Sequence, residues 1–374
     1  MEAATQDTSD FISSLISDTI VVFYTLSKMS YQLLAMENPL LDIQVHANEE
    51  LLKKYDLLAN NAILAEEKHK PLYTEIVKDY EVVYVAGGAS QNTARGAQYL
   101  LPPNSTIYLG AVSDDHFADQ MKKAAARDGL RTEYQIVKEV PTGTCAVLVT
   151  GHHRSLVANL SAAEKFTLEY LLTPSVWKHV ENAKYFYIGG FFLTHSGGAA
   201  ATIEVAKHAS TTDKVFALNL SAPFISQVFK NQLDAVLPYV DILFGNEDEA
   251  RTYASTSGWE TTDLKEIALR VANSPKINAA RARVVVITHG AQDTIVGLAA
   301  TQTVKTYPII KIAEKDIVDT NGAGDAFVGG FLGLYVQGVE NIERCVAAGH
   351  WLANIVIQRV GPTYPEERKP FVEA

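Results

Sequence analysis

The chain has 374 residues, 47% hydrophobic and 20% charged, which is enough apolar material for a large core and excludes wholesale disorder. Acidic residues outnumber basic ones, 43 to 32, and the formal charge of −11 argues against a general nucleic-acid binder. Two cysteines, Cys145 and Cys345, are too few for a disulfide framework and fall on no metal-ligand spacing, as in a reducing, cytoplasmic protein.

Residues 11–26 are apolar but interrupted by Asp18, and they fall short of the roughly 20 residues that a bilayer span needs. The ten residues before them carry three acids and no base, unlike a secretory signal. Residues 1–30 are therefore expected to be a disordered or dispensable tail, with Met29 just ahead of the first strand-like run. No membrane partner is expected.

From residue 31 short apolar runs alternate with amphipathic segments. The runs cover 31–36, 106–112, 185–190, 214–220, 240–245 and 283–290, and they are rich in β-branched and aromatic residues. Strands buried on both faces of a parallel sheet have this pattern. Helical patterns fall between them at 90–100, 116–128, 197–210 and 264–273, and two longer ones close the chain at 322–336 and 341–359. Strand–helix alternation predicts an α/β fold, a doubly wound and mostly parallel sheet flanked by helices. Residues about 56–88 and about 134–160 break the rhythm, with strand-like runs and little helix between them. They are expected to form a small β-rich lid on a domain spanning 31–374.

The chemistry concentrates in Asp319-Thr320-Asn321-Gly322-Ala323-Gly324-Asp325-Ala326-Phe327, between a strand-like segment and an apolar helix. Small residues at a helix start let backbone N–H groups face outward, and with the helix dipole they make an anion hole. Asp325 falls in the first turn beside it, placed either to take a proton from an attacking hydroxyl or simply to cap the helix. The sequence has no G-x-x-x-x-G-K-[ST] loop and no H-R-D/D-F-G set, so phosphoryl transfer would have to use this helix start instead.

This stretch resembles the C-terminal signature of the ribokinase-like carbohydrate kinase family, and further motifs narrow the resemblance to its adenosine-kinase branch. They are Asn38-Pro39-Leu40-Leu41-Asp42, Gly87-Gly88-Ala89-Ser90-Gln91-Asn92, Pro141-Thr142-Gly143-Thr144-Cys145, Arg154-Ser155-Leu156, Asn219-Leu220-Ser221-Ala222-Pro223-Phe224 and Phe244-Gly245-Asn246-Glu247-Asp248-Glu249. The resemblance runs from about residue 31 to about 365. It implies ATP-dependent phosphorylation of the 5′-hydroxyl of adenosine, giving AMP and ADP. The alternatives are another nucleoside or sugar kinase of the same family, or a silent nucleoside-binding protein. It also implies adenosine and ATP as the partners, Mg²⁺ as the cofactor, a monomer, and a cytoplasmic location with a nuclear one left open.

The resemblance further assigns roles. Asp325 becomes the general base, and Asn321, Gly322, Ala323 and Gly324 the anion hole. Asp42 takes the ribose 2′- and 3′-hydroxyls, with Asn92 and the Gly87-Gly88 pair completing the ribose site. Asn38, Leu40, Leu64, Leu156, Ala158, Phe191 and Phe224 are candidates for the nucleoside pocket, although each alone could be ordinary core. Arg154 closes onto the ATP phosphates, where a guanidinium grips two oxygens at once. Asn246 and Glu249, three apart, hold Mg²⁺ mainly through its waters or merely cap a helix. His350 and Asn354 face the ATP base. One departure concerns adenine: Ala62 stands where the family pattern has a glutamine.

Overall fold

The computed structural model describes residues 31–59, 61–151, 153–339 and 341–372, so the tail expected over 1–30 lies outside the described residues. The strands run β1 Leu33–Met36, β2 Leu40–His46, β3 Asn61–Leu64, β4 Val83–Gly87, β5 Thr106–Val112, β6 Arg131–Ile136 and β7 Thr144–Thr150. They continue as β8 His153–Asn159, β9 Tyr185–Gly189, β10 Val215–Asn219, β11 Ile242–Asn246, β12 Val284–His289, β13 Gln292–Leu298 and β14 Thr303–Tyr307.

Nine of them make one sheet in the order β14-β13-β12-β11-β10-β9-β1-β5-β6. It is parallel from β12 to β6, while β12, β13 and β14 pair antiparallel at one edge. Alternation along the central strands shows why the runs read as continuously apolar. Leu34 and Met36 enter one core with Ile107, Leu109, Phe186 and Ile188. Leu33 and Ala35 enter a second core on the opposite face with Tyr108, Val112 and Tyr187. A strand covered by helices on both faces needs apolar side chains at every position.

The remaining five strands form a second sheet, β3-β8-β7-β2-β4, over its own core of Ile43, Val45, Leu51, Leu72, Ile76 and Leu148. This corrects the expected lid boundaries. One of its inner strands is β2, residues 40–46, hydrogen-bonded to β4 on one side and β7 on the other. Tyr134 belongs instead to the edge strand β6 of the large sheet. The segment 56–88 also carries more helix than expected, Lys70–Asp79, whose Leu72 and Ile76 fill the core beneath the small sheet.

The helix Ala323–Tyr335 is wedged between Ala89–Leu100 and Ile342–Ile357. Glycine makes the approach possible. A Cβ on Gly329 would stand 2.8 Å from the Thr93 carbonyl oxygen, and one on Gly330 would run into the Ala348 carbonyl. Among the described residues no helix is long and apolar enough to cross a membrane.

Backbone cannot yield as a flexible side chain can. Gly330→Ala should therefore overpack this contact and lower stability by about 1–3 kcal/mol. Urea denaturation checks this; an unchanged midpoint would mean that the helices part without strain.

Candidate active site

In the large sheet the chain runs outward from β1 through β5 to β6, then returns to β9 and proceeds the other way. The strand order thus reverses beside β1, and in open α/β sheets ligands bind at the carboxyl ends of strands at such a point. Glu37 and Asn38 follow β1 there, Phe191 follows β9, Ser221 follows β10, and Asn246 ends β11.

Two adjoining cavities occupy this position. The larger, about 370 Å³, lies between the sheets and is lined by Asn38, Leu40, Asp42, Leu156, Ala158 and Phe191, among others. The smaller, about 150 Å³, lies beneath the helix start and is lined by Asn219, Asn246, Glu249 and Thr288. Gly324 and Asp325 line both. Both walls mix apolar and polar side chains, and the Asp325 carboxylate marks the join.

The helix start has the expected form. Gly322 is the residue before the helix and holds φ +75, and a Cβ there would collide with Pro362. A Cβ on Gly324 would meet nothing within 4 Å, so the space over the first turn is open. The first N–H groups of any helix lack intrahelical acceptors, and here they border the cavity. Asp325 stands in that turn, with Oδ2 accepting from Asn92 Nδ2 at 3.0 Å. Desolvation raises its carboxyl to about 6, against the pull of that hydrogen bond.

Asp42 is 5% exposed. Burial and then the charge of Asp325 raise its carboxyl to about 8, with Arg95 and Asn321 acting the other way. A Cβ on Gly87 would overlap the Asp42 carboxylate. Gly88, at φ +93, would bring a Cβ to 2.6 Å from the Asn38 carbonyl oxygen. These two glycines are thus demanded by the approach of β4 to Asp42 and Asn38. Asn38 is itself fixed, donating to the Phe191 carbonyl at 3.2 Å and paired with His195 at 3.0 Å.

Of the apolar candidates, Leu40, Leu156, Ala158 and Phe191 line the larger cavity. Leu64 instead packs behind them in a cluster with Leu40 and Cys145, and Ala62 and Ile63 take its place on the wall. Phe224 also stands behind, its ring 5.9 Å from that of Phe191.

Arg154 is buried against a carboxylate of the chain itself. Its Nε donates to Asp319 Oδ1 at 2.7 Å and its Nη2 reaches the same atom at 2.6 Å. Asn246 and Glu249 bond reciprocally: the Glu249 N–H donates to Asn246 Oδ1 at 2.8 Å, the Asn246 N–H to Glu249 Oε2 at 2.9 Å, and Asn246 Nδ2 to Glu249 Oε1 at 2.9 Å. They cap a helix, as the plainer expectation had it, and they also face the smaller cavity. Burial pushes the Glu249 carboxyl up to about 7. Among the described residues no three His, Cys, Asp or Glu side chains gather as a metal cage. The pair could therefore hold Mg²⁺ only through its waters, which suits a cation reluctant to shed them.

His350 and Asn354 line neither cavity. His350 Nε2 is 2.8 Å from Thr294 Oγ1, and its ring lies against Phe327. Asn354 donates to the Ile310 carbonyl. Both thus have partners within the chain, His350 in the interior and Asn354 nearer the surface.

Sequence reasoning missed Glu37 and Asp319. Glu37 is 1% exposed, lines the larger cavity and accepts the Ser90 N–H at 2.7 Å; burial raises its carboxyl to about 8. The available signal was an acid directly after the apolar run of a central strand. Asp319 was quoted within a motif but given no task.

The chain matches the model of the pfkB family carbohydrate kinases over residues 49–369. An adenosine kinase of Schizophyllum commune is 52% identical over 337 residues, 90% of this chain and 97% of that protein. Adenosine kinase 1 of Arabidopsis thaliana is 48% identical over 90% of this chain and 96% of its own length. The crystal structure of Anopheles gambiae adenosine kinase in complex with P1,P4-di(adenosine-5) tetraphosphate superposes with a TM-score of 0.86 at 46% identity, covering 88% of this chain and 96% of that one. Schistosoma mansoni adenosine kinase, in complex with adenosine in an occluded loop conformation, gives 0.84 at 34% identity, over 89% and 97%. Fold, site geometry and relatives agree: the chain belongs to the pfkB family of carbohydrate kinases, among its adenosine kinases.

Proposed function

We propose that the chain transfers the γ-phosphoryl group of ATP to the 5′-hydroxyl of adenosine, giving AMP and ADP. The observation that carries this reading is Asp325, at a helix N-terminus and at the join between a nucleoside-sized cavity and a smaller one. Adenosine lies in the larger cavity, its base among Leu40, Leu156, Ala158 and Phe191. Its ribose hydroxyls reach Asp42, since one carboxylate can accept from two vicinal hydroxyls. Asp325 takes the proton of the 5′-hydroxyl as that oxygen attacks the γ-phosphorus. The bond from phosphorus to the β-bridging oxygen breaks, and ADP leaves with its electron pair. The N–H groups at Gly322–Gly324 hold the charge developing on the transferred group, and Arg154 guards the lid side. Mg²⁺, held through water by Asn246 and Glu249, would supply further neutralisation of phosphate charge. A small sugar would leave the apolar wall exposed, so the purine nucleoside is the better fit.

Asp325→Asn should fold normally and lose on the order of 10²–10⁴ in kcat. In the unaltered protein kcat should fall as the pH drops through about 6, because the base must be ionised and its carboxyl is raised to that value. Asn92→Ala removes the hydrogen bond that favours the ionised form and should move this limb to higher pH. A limb at the ordinary aspartate value in both proteins would remove Asp325 from the role.

Asp42, raised to about 8, is largely protonated at pH 7. Two hydroxyl donors favour its ionised form, so adenosine binding should release a proton. Calorimetry in buffers of different ionisation enthalpy reads the release directly, and 2′-deoxyadenosine should show less of it. Equal release with both nucleosides would place the ribose elsewhere.

The small sheet is proposed to act as a lid latched on Asp319. Adenosine should protect amides of 40–46 and 153–159 together in hydrogen exchange, more than those of the central strands. In Asp319→Asn the latch loses its charge and the gain should shrink. Equal protection in both proteins would leave the latch without a role.

A further inference from the structure

His195 lines neither cavity of the cleft, yet both of its ring nitrogens are engaged. It stands just before the helix Ser196–Thr211, and its Nδ1 accepts the Gly198 N–H at 3.1 Å. Capping alone is served better by Ser, Thr, Asp or Asn, whose short side chains would end there. The imidazole reaches further, and its Nε2 stands 3.0 Å from Asn38 Oδ1. The ring is held in place: it meets Phe192 edge-on with centroids 5.2 Å apart, and a Cβ on Gly198 would come to 2.7 Å from its Cε1.

The protons along this chain of contacts follow from its two ends, which are backbone groups. The Gly198 N–H can only donate, so Nδ1 is the acceptor and the neutral ring carries its proton on Nε2. Nε2–H then donates to Asn38 Oδ1. At the other end the Phe191 carbonyl can only accept, and it takes one N–H of Asn38 Nδ2 at 3.2 Å. Both ends therefore specify the same orientation of the amide. Burial lowers the His195 ring to about 4, with the Glu164 charge opposing and the Lys165 charge assisting, so the ring is neutral at ordinary pH. The second Nδ2–H of Asn38 makes no hydrogen bond to the described residues. Asn38 is 2% exposed and lines the larger cavity with Leu40, Asp42 and Phe191. A buried donor left unspent on a cavity wall calls for an acceptor on the ligand. We propose that His195 is a positioning residue for the nucleoside. It locks the Asn38 amide so that the second N–H is held ready for a lone-pair acceptor where base meets ribose, either purine N3 or the ribose ring oxygen. This inference rests on adenosine being the ligand of the larger cavity. Without the imidazole the amide can turn over and present its oxygen, which repels that acceptor.

The test is calorimetry of adenosine binding to the full chain in the absence of ATP. His195→Phe keeps a ring and removes both nitrogens, and its Kd should rise about three- to tenfold, the range of one neutral hydrogen bond. His195→Met serves where the larger ring disturbs folding. In turnover the loss should fall on KM more than on kcat, because the contact is the same before and during the reaction. His195→Gln, whose amide can donate to Asn38 Oδ1, should recover most of the affinity. In an Asn38→Leu background His195→Phe should add nothing further. Analogues identify the acceptor: 3-deazaadenosine lacks N3 and carbocyclic adenosine lacks the ring oxygen. The analogue missing the true acceptor should bind the unaltered protein and His195→Phe alike, while the other keeps the difference. Unchanged affinity in His195→Phe, no recovery in His195→Gln, or a difference that persists with both analogues overturns the inference and leaves the proposed function standing. Adenosine that fails to bind the unaltered chain would overturn both.

Discussion

One buried carboxylate holds the two sheets and the anion hole in register. Asp319 is 2% exposed, and a charge so placed is costly unless donors surround it. Here they come from three directions. Arg154 of β8 and Gln44 of β2 reach it from the small sheet, the latter at 3.1 Å. The Asn321 N–H donates at 2.6 Å from the helix-start loop, and the Gly361 N–H at 2.9 Å from the C-terminal segment. Removing it would take this carboxylate from the buried Arg154 guanidinium, and breaking a buried ion pair is costly. The lid side of the cleft and the shape of its anion hole therefore depend on the same atom pair.

The cleft beyond it is unusual in the opposite sense. Glu37, Asp42, Asp325 and Glu249 are acids in or bordering it, and all four are raised, chiefly by burial. Asp325 contributes to the upward push on the other three. A site that binds a polyanion might be expected to avoid acids. These stand instead where hydroxyl donors, a metal's waters or a transferred proton would meet them, while backbone N–H groups face the phosphate. Positive side chains are held back, with Arg154 spent on Asp319 and Arg95 on Asp128. On the proposed reading, a cation bound to the nucleotide would supply the balancing charge.

The fold was legible because burial on both faces leaves a plain trace. The run 106–112 is a strand from end to end, every residue buried, and 284–289 and 242–246 stand where their apolar runs lie. The small sheet was harder to read. Its inner strand β2 begins four residues after β1 ends, and no composition change separates a strand of one sheet from a strand of the other. Site residues followed the same division. Gly88 and Gly322 stand at positive φ, a local demand for glycine, whereas Gly87 is required by the approach of the distant Asp42. The partner of Arg154 lies 165 residues away, a pairing that only the fold creates. His350 and Asn354, at helical spacing near the end of the chain, had no local feature to show that they line neither of the two cavities.

The short passage from β1 to β2 explains why nucleoside recognition and lid position belong together. Glu37, Asn38 and Pro39 leave the large sheet at its switch point, and Leu40 already lies in the small one. Pro39 is pressed onto Gly110 of β5, where a Cβ would stand 2.6 Å from its Cδ, so the passage is anchored on the large-sheet side. Asn38 is held by Phe191 and His195 on that side, whereas Leu40 and Asp42 belong to the small sheet. A nucleoside touching Asn38, Leu40 and Asp42 spans the boundary within five residues of chain. On the proposed reading its binding energy would be spent on the angle between the sheets, on which the Arg154–Asp319 contact also depends.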